Sequence, residues 1–224
     1  MTAATQSPVT TAEVAAAARL LAAAGLVEGF GHVSARTSTG FAISSTAPLM
    51  DADPESVIAC DAAGEPRGDG EGLPLETPLH AAVYAARDDV GAIARIHGRA
   101  VAAVGAGSSV PGVAHGLGGL SGAVATWDDP QLVTDPQRAG AGAAALGASD
   151  CLLIRGNGAV ATGPDLGVAA VRAWYLEERC RVWAEAGASL SPGELEERST
   201  HYEAETARAW RWLQRRYGRI GGEG

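Results

Sequence analysis

The sequence predicts a single α/β domain in which short, hairpin-joined strands carry helices on their faces. Three observations point there. Capping signals precede apolar periodic stretches at Thr10-Thr11-Ala12-Glu13, Asp135-Pro136 and Ser191-Pro192-Gly193-Glu194, and each marks a helix start. Turn residues at Ser38-Thr39-Gly40 and Gly156-Asn157-Gly158 separate short apolar runs, the pattern of hairpins. The 224 residues, 46% of them hydrophobic, show no linker and no internal repeat, so one core accommodates the chain. Residues 1–224 are read as one domain, with 191–218 a C-terminal helical extension.

Taken in order, the first helix runs from its Thr10 cap to about Ala24, with Val14, Ala18, Leu20, Leu21 and Ala24 as its apolar face and Gly25 ending it. A glycine turn, Gly29-Phe30-Gly31, feeds a strand through His32-Val33-Ser34-Ala35-Arg36, which pairs with Gly40 to Ser44. Ser56 to Cys60 is a further strand, and Gly64 to Gly72 an exposed polar loop. A helix opens after Glu76 and covers Pro78 to Ala86, with proline tolerated in its first turn. Asp89 to Ile96 is a buried strand ending at His97, and Ala100 to Val104 a short helix. Gly105 to Gly122 lacks any period and is read as an irregular, mobile loop. A helix from Asp135-Pro136 to about Leu146 precedes a hairpin of Cys151 to Arg155 with Ala159 to Thr162. Pro164 to Ala186 is a long helix, and one final helix runs from Ser191 to about Tyr217.

Composition excludes several chemistries. All 17 basic residues are arginine, so Schiff-base, pyridoxal-phosphate and Walker-type chemistry, each of which requires a lysine amine, is ruled out. A net charge of −9 argues against nucleic-acid and anionic-membrane partners. The arginines at 208, 211, 215, 216 and 219 form a local surface at helical spacing instead. Cys60, Cys151 and Cys180 are widely spaced and read as buried reduced thiols. With no bilayer-length apolar run and no leader pattern, a cytoplasmic location is expected.

The chemistry concentrates at two places. His97 stands where a buried strand ends and the chain turns at Gly98, downstream of Glu76 at a helix start. Asn157 sits between two glycines at a hairpin tip, a position that favours left-handed backbone. Carboxylate, strand-end histidine and glycine turn together outline a lyase-type site.

Over roughly residues 10–190 the chain resembles the class II aldolase/adducin family. The resemblance rests on Gly31-His32-Val33-Ser34-Ala35-Arg36, the Phe41 to Thr46 strand and turn, Glu76-x-x-x-His80, Arg87-Asp88-Asp89-Val90, Ile96-His97, and Leu153-Ile154-Arg155-x-x-Gly158 through Gly163. It implies a central, mainly antiparallel sheet flanked by helices, and a homotetramer with active sites between subunits. In metal-dependent members a His-x-His pair and a later histidine hold a divalent ion, usually zinc, while a glutamate moves the proton. Aligned on that pattern, His97 matches the first ligand, Arg99 the second, Asn157 the third, and Glu76 the acid/base. One imidazole with an amide and a cation holds zinc poorly, so the usual site is expected to be lost or rebuilt. Ser45 and Thr46 match the family's phosphate pocket, but Pro74 and Leu75 stand where serines usually help.

The expected reading is a small-molecule lyase acting on an oxo or hydroxy acid by carbon–carbon cleavage or formation, decarboxylation or dehydration. Glu76, His97 and Arg99 would be catalytic, with Gly31, His32, Ser45, Thr46 and Asn157 binding substrate. Two alternatives stand beside it. One is a non-catalytic, adducin-like binding protein in which Arg99 is neutralised by Glu76. The other is a metalloenzyme with a rebuilt iron, manganese or zinc site in which His97 is joined by His32, His80 or His115. His201 and Tyr202 are surface candidates that the family's C-terminal segment could carry to a neighbouring site.

Overall fold

The computed structural model describes residues 9–107 and 109–218. Its strands are β1 (His32–Thr37), β2 (Gly40–Ser44), β3 (Val57–Cys60), β4 (Ala92–Ile96), β5 (Val124–Trp127), β6 (Cys151–Ile154) and β7 (Ala159–Gly163). They form one sheet in the order β3-β2-β1-β4-β7-β6-β5. Every neighbouring pair is antiparallel except β5 with β6. The helices are α1 (Thr11–Ala23), α2 (Thr77–Ala86), α3 (Arg99–Gly105), α4 (Pro136–Leu146), α5 (Leu166–Ala186), α6 (Pro192–Ser199) and α7 (Tyr202–Tyr217). The mainly antiparallel sheet flanked by helices is the architecture the sequence predicted.

The pleat divides the core into two layers. Ala92, Ala94 and Ile96 of β4 join Val33 and Ala35 of β1 in a cluster with α1, α5 and α7. Ile93 belongs to the other layer, with Phe41, Ile43 and Val160 beneath α2 and α4. Odd-numbered β4 residues and even-numbered β1 residues therefore face α2. This parity places the polar site, because His32, Ser34 and Arg36 alternate with buried apolar residues along β1.

Three segments differ from expectation. Val124–Trp127 is a strand that periodicity did not reveal, since it is four residues long, at the sheet edge, and only half-buried. The C-terminal helix is two helices: Ser199 and Thr200 hydroxyls donate to the Glu196 and Glu197 carbonyls, and the chain restarts at Tyr202. The glycine-rich stretch ends in a 3-10 turn at Gly116–Ser121. Arg179 of α5 ties down its flanks, donating to Pro111 O, Ser121 Oγ and Gly122 O.

Candidate active site

Glu76 occupies the N-cap of α2, and its carboxylate turns under the sheet end rather than capping the helix. There it meets Arg95. The Arg95 Nε donates to Glu76 Oε2 at 3.0 Å, and the backbone N–H of Val133 donates to Oε1 at 3.2 Å. Arg95 is 0% exposed, with Nη1 also directed at the Ile96 and Ala159 carbonyls. A guanidinium at such depth persists because its charge is neutralised and its N–H groups are matched. The His32 Nε2 lies 3.8 Å from Glu76 Oε2. These three side chains form the floor of the site.

His97 and Asn157 form its half-buried rim. His97 Nδ1 lies 3.2 Å from the Phe30 carbonyl oxygen, and Asn157 Nδ2 donates to Gln131 O at 3.4 Å. Two glycines make the close packing possible. Gly158, with φ of 69°, passes so near that a Cβ would lie 2.2 Å from Ile96 O and 2.9 Å from Arg95 Nη1. Gly31, with φ of 137°, would set a Cβ 2.8 Å from Arg95 O. Gly31 therefore shapes the wall, and no side chain larger than hydrogen fits there.

Arg99 is corrected by the structure. β4 ends at Ile96, the chain turns at Gly98, and Arg99 starts α3 pointing outward. Its side chain is 86% exposed and pairs with Glu28 at 3.1 Å, not with Glu76. The two-residue spacing that puts neighbours on one face of a strand end is met by Arg95 and His97. Arg95 is the functional candidate that sequence reading missed. The available signal was a lone arginine inside the five-residue buried run Ala92–Ile96.

The remaining candidates separate by place. Continuing the β1–β2 register, in which Ser34 faces Ile43, sets Ser45 level with His32 at the same sheet end. Thr46 follows, exposed, its N–H donating to Gly72 O at 2.8 Å. His80 is buried one turn after Glu76 and hydrogen-bonds His32. His115 lies apart, packed near Gly118 and α5, and Tyr202 OH donates to Gly116 O in that same layer. His201 is exposed. Among the described residues no three His, Cys, Asp or Glu side chains are arranged to hold a metal ion.

The charges settle the protonation states. Burial alone would raise the Glu76 carboxyl, but the His32 imidazole, the Arg95 guanidinium and the Val133 N–H overcome it and hold it well below the usual carboxylate range. Burial, helped by Arg95, lowers His32, and burial with His32 lowers His80 further. Burial and Arg95 also pull His97 down to about 4. The site at neutral pH thus holds one carboxylate, one guanidinium and three neutral imidazoles. The cysteines are buried, with thiols raised to about 11 for Cys60 and about 12 for Cys151 and Cys180, so none is an activated nucleophile.

An antiparallel sheet with a carboxylate at one helix start, a strand-end imidazole and a glycine-flanked turn defines an aldolase-like α/β protein. The family profile described as class II aldolase and adducin N-terminal domain matches residues 12–184, and the chain belongs to that family. Among solved structures it is similar to an aldolase II superfamily protein from Pseudomonas syringae, with TM-score 0.81, 23% identity, and coverage of 95% of this chain and 93% of that one. It is also similar to L-fuculose 1-phosphate aldolase from Glaciozyma antarctica (TM-score 0.77, 16% identity, 92% and 88% coverage). The l-fuculose-1-phosphate aldolase from Thermus thermophilus is 25% identical with TM-score 0.66, over 80% of this chain and 98% of that one. No curated protein sequence matches the chain.

The family resemblance implies a divalent ion held by imidazoles. The side chains here offer imidazoles from His97 and His32, one amide from Asn157, and a permanently protonated guanidinium from Arg95 that would repel the ion. Glu76 is already engaged by that guanidinium. This donor set does not fit a divalent cation.

Proposed function

We propose that the protein is a lyase-type enzyme for a small oxo or hydroxy acid, in which the buried Arg95 cation takes the electrostatic place of the family's zinc ion. The observation that carries this reading is the Arg95–Glu76 pair beneath a rim of neutral imidazoles. A substrate carboxylate or a developing enolate competes with Glu76 for the guanidinium N–H groups. Once displaced, the Glu76 carboxylate loses its strongest partner, becomes more basic and accepts the substrate proton. His97 and Asn157 hold the substrate oxygens from the rim, and His32 donates from the floor. A phosphorylated sugar fits poorly beside Pro74 and Leu75, so the acid itself is the recognised group. Membership of the family supports lyase chemistry, and the substrate class rests on the cation.

The same ion pair favours a second reading, a binding protein without turnover, if no ligand displaces Glu76 from Arg95. The distinguishing experiment is a calorimetric and turnover screen of oxo and hydroxy acids against wild type and Arg95→Lys, with elemental mass spectrometry on wild type and His97→Ala. Binding with turnover, weakened in Arg95→Lys, supports the lyase. Binding without turnover supports the second reading. Near-stoichiometric metal that vanishes in His97→Ala would overturn both. A cytoplasmic homotetramer is proposed on family grounds. Among the described residues no helix is long and apolar enough to cross a membrane.

A further inference from the structure

Between β1 and α2 runs a chain of buried polar groups that leads away from the floor of the site. His32 Nδ1 is 2.7 Å from His80 Nε2, His80 Nδ1 is 2.6 Å from Ser34 Oγ, and Ser34 Oγ is 2.8 Å from Tyr84 OH. All four side chains are buried, and each contact carries one hydrogen. Three arrangements of those hydrogens are consistent, because the Ser34 hydroxyl can accept two hydrogens but donate only one.

In one arrangement Tyr84 donates to Ser34, Ser34 to His80, and His80 Nε2–H to His32 Nδ1. The His32 proton then sits on Nε2, facing the Glu76 carboxylate 3.8 Å away. In the other two, His32 Nδ1–H donates to His80 and His80 Nδ1–H to Ser34, which aims a nitrogen lone pair at that carboxylate. They also leave one buried hydroxyl hydrogen, that of Tyr84 or that of Ser34, with neither a ring nitrogen nor the other hydroxyl to receive it. The lone pair facing the carboxylate and the unreceived hydroxyl hydrogen both count against these two arrangements. The His32 Nε2 has no hydrogen-bond partner among the described residues, since 3.8 Å exceeds hydrogen-bond reach.

We propose that Tyr84, Ser34 and His80 are positioning residues that lock His32 as a neutral imidazole with its proton on Nε2, so that this N–H is offered to a substrate oxygen lying over Glu76. The substrate role rests on the lyase reading above; the locked tautomer does not. A neutral imidazole is a donor whose remaining nitrogen is held by a second partner, and it polarises a carbonyl without surrendering a full positive charge. Groups facing His32 are Glu76, Arg95, His80 and His97. With Arg95 already neutralising Glu76, nothing in that set demands a second cation.

The test needs no substrate, so its failure is separable from failure of the lyase reading. Histidine-labelled protein is examined by long-range proton–nitrogen correlation at neutral pH, with His32 assigned by loss of its signals in His32→Asn. The expected result is a bare Nδ1 and a protonated Nε2 for His32. In Ser34→Ala, which removes one buried atom, the two His32 nitrogen shifts should move toward each other as the tautomers mix. Tyr84→Phe should give a smaller displacement in the same direction, and it decides the matter if Ser34→Ala does not fold. A His32 protonated on Nδ1, or on both nitrogens, overturns the proposal. So does an unmoved pair of shifts in the variants.

Discussion

The Arg95 side chain is the most consequential in the molecule, because a charge within an apolar strand survives only with a matched partner. Removing one member of such a pair leaves the other buried and unpaired, at a cost of about 3–5 kcal/mol. Arg95→Met and Glu76→Leu should each lower the unfolding free energy from urea titration by that order. The double variant should recover most of the loss while abolishing ligand binding. Single variants as stable as wild type would mean that the pair is not buried in solution. Arg99→Ala, by contrast, should leave both stability and ligand binding unchanged, since its exposed partnership with Glu28 is worth little. The imidazoles give a third expectation. His32 and His80 stay neutral in the fold, whereas unfolded histidine titrates near about 6.5. As pH falls below that value the unfolded chain takes up protons that the native state refuses. Stability is therefore lost toward acid, by at most about 1.4 kcal/mol per pH unit for each of the two. His97 extends the decline to about pH 4. The depressed Glu76 acts in the same direction below the ordinary carboxylate range, its contribution lost as pH falls toward its folded value. Urea midpoints that stay flat between pH 7.5 and about 5 would contradict these assignments.

At the scale of elements, the site is a meeting of two periodicities. β1 sends His32, Ser34 and Arg36 to one face at every second residue, and α2 returns Glu76, His80 and Tyr84 at every fourth. Both stripes are visible in the sequence, as are the hairpin turns, the Thr10 and Ser191 caps and the long α5 helix, because local physics fixes them. What the sequence hid was which stripe faces which. His97 was matched forward to Arg99, across a turn, when strand parity pairs it backward with Arg95. The strand end at Ile96 and the turn at Gly98 are legible in the sequence, and the mismatch arises because the family's ligand pair, aligned forward from His97, crosses that turn. The edge strand β5 escaped for a different reason. Four residues after a glycine-rich stretch, three half-buried and one exposed, carry no pattern, and β6 supplies their order through parallel pairing. The expectation of a mobile loop before β5 ignored Arg179, whose signature is a charged residue on the buried face of α5. Arg179→Met should accordingly raise amide exchange in residues 110–122 while leaving β4 and β7 protected. Equal exchange in the variant and wild type would show that other contacts hold the loop.

For the whole molecule, the question is what covers the rim of the site. The floor is closed from below by the sheet, while Phe30, Leu75 and Leu132 are 81%, 69% and 52% exposed. Each is a chain neighbour of a site residue or of one of its hydrogen-bond partners: Phe30 precedes Gly31, Leu75 precedes Glu76, and Leu132 adjoins Gln131 and Val133. Scattered exposed apolar residues need no explanation, but three that flank site residues along the chain favour a cover. The homotetramer proposed above would supply one in the form of a second copy of the chain. That arrangement also suits the chemistry, since excluding water strengthens the competition between a substrate carboxylate and Glu76 for Arg95. The expected mass by light scattering after size-exclusion chromatography is four times that of one chain. Phe30→Glu sets a charge on the rim without touching the core, and should shift the distribution toward smaller species with an unchanged circular-dichroism spectrum. Its effect on ligand binding then separates two roles for the rim. Weakened binding only in the dissociated form means that the neighbouring chain completes the site, whereas a fully assembled variant with weakened binding means that Phe30 itself meets the ligand.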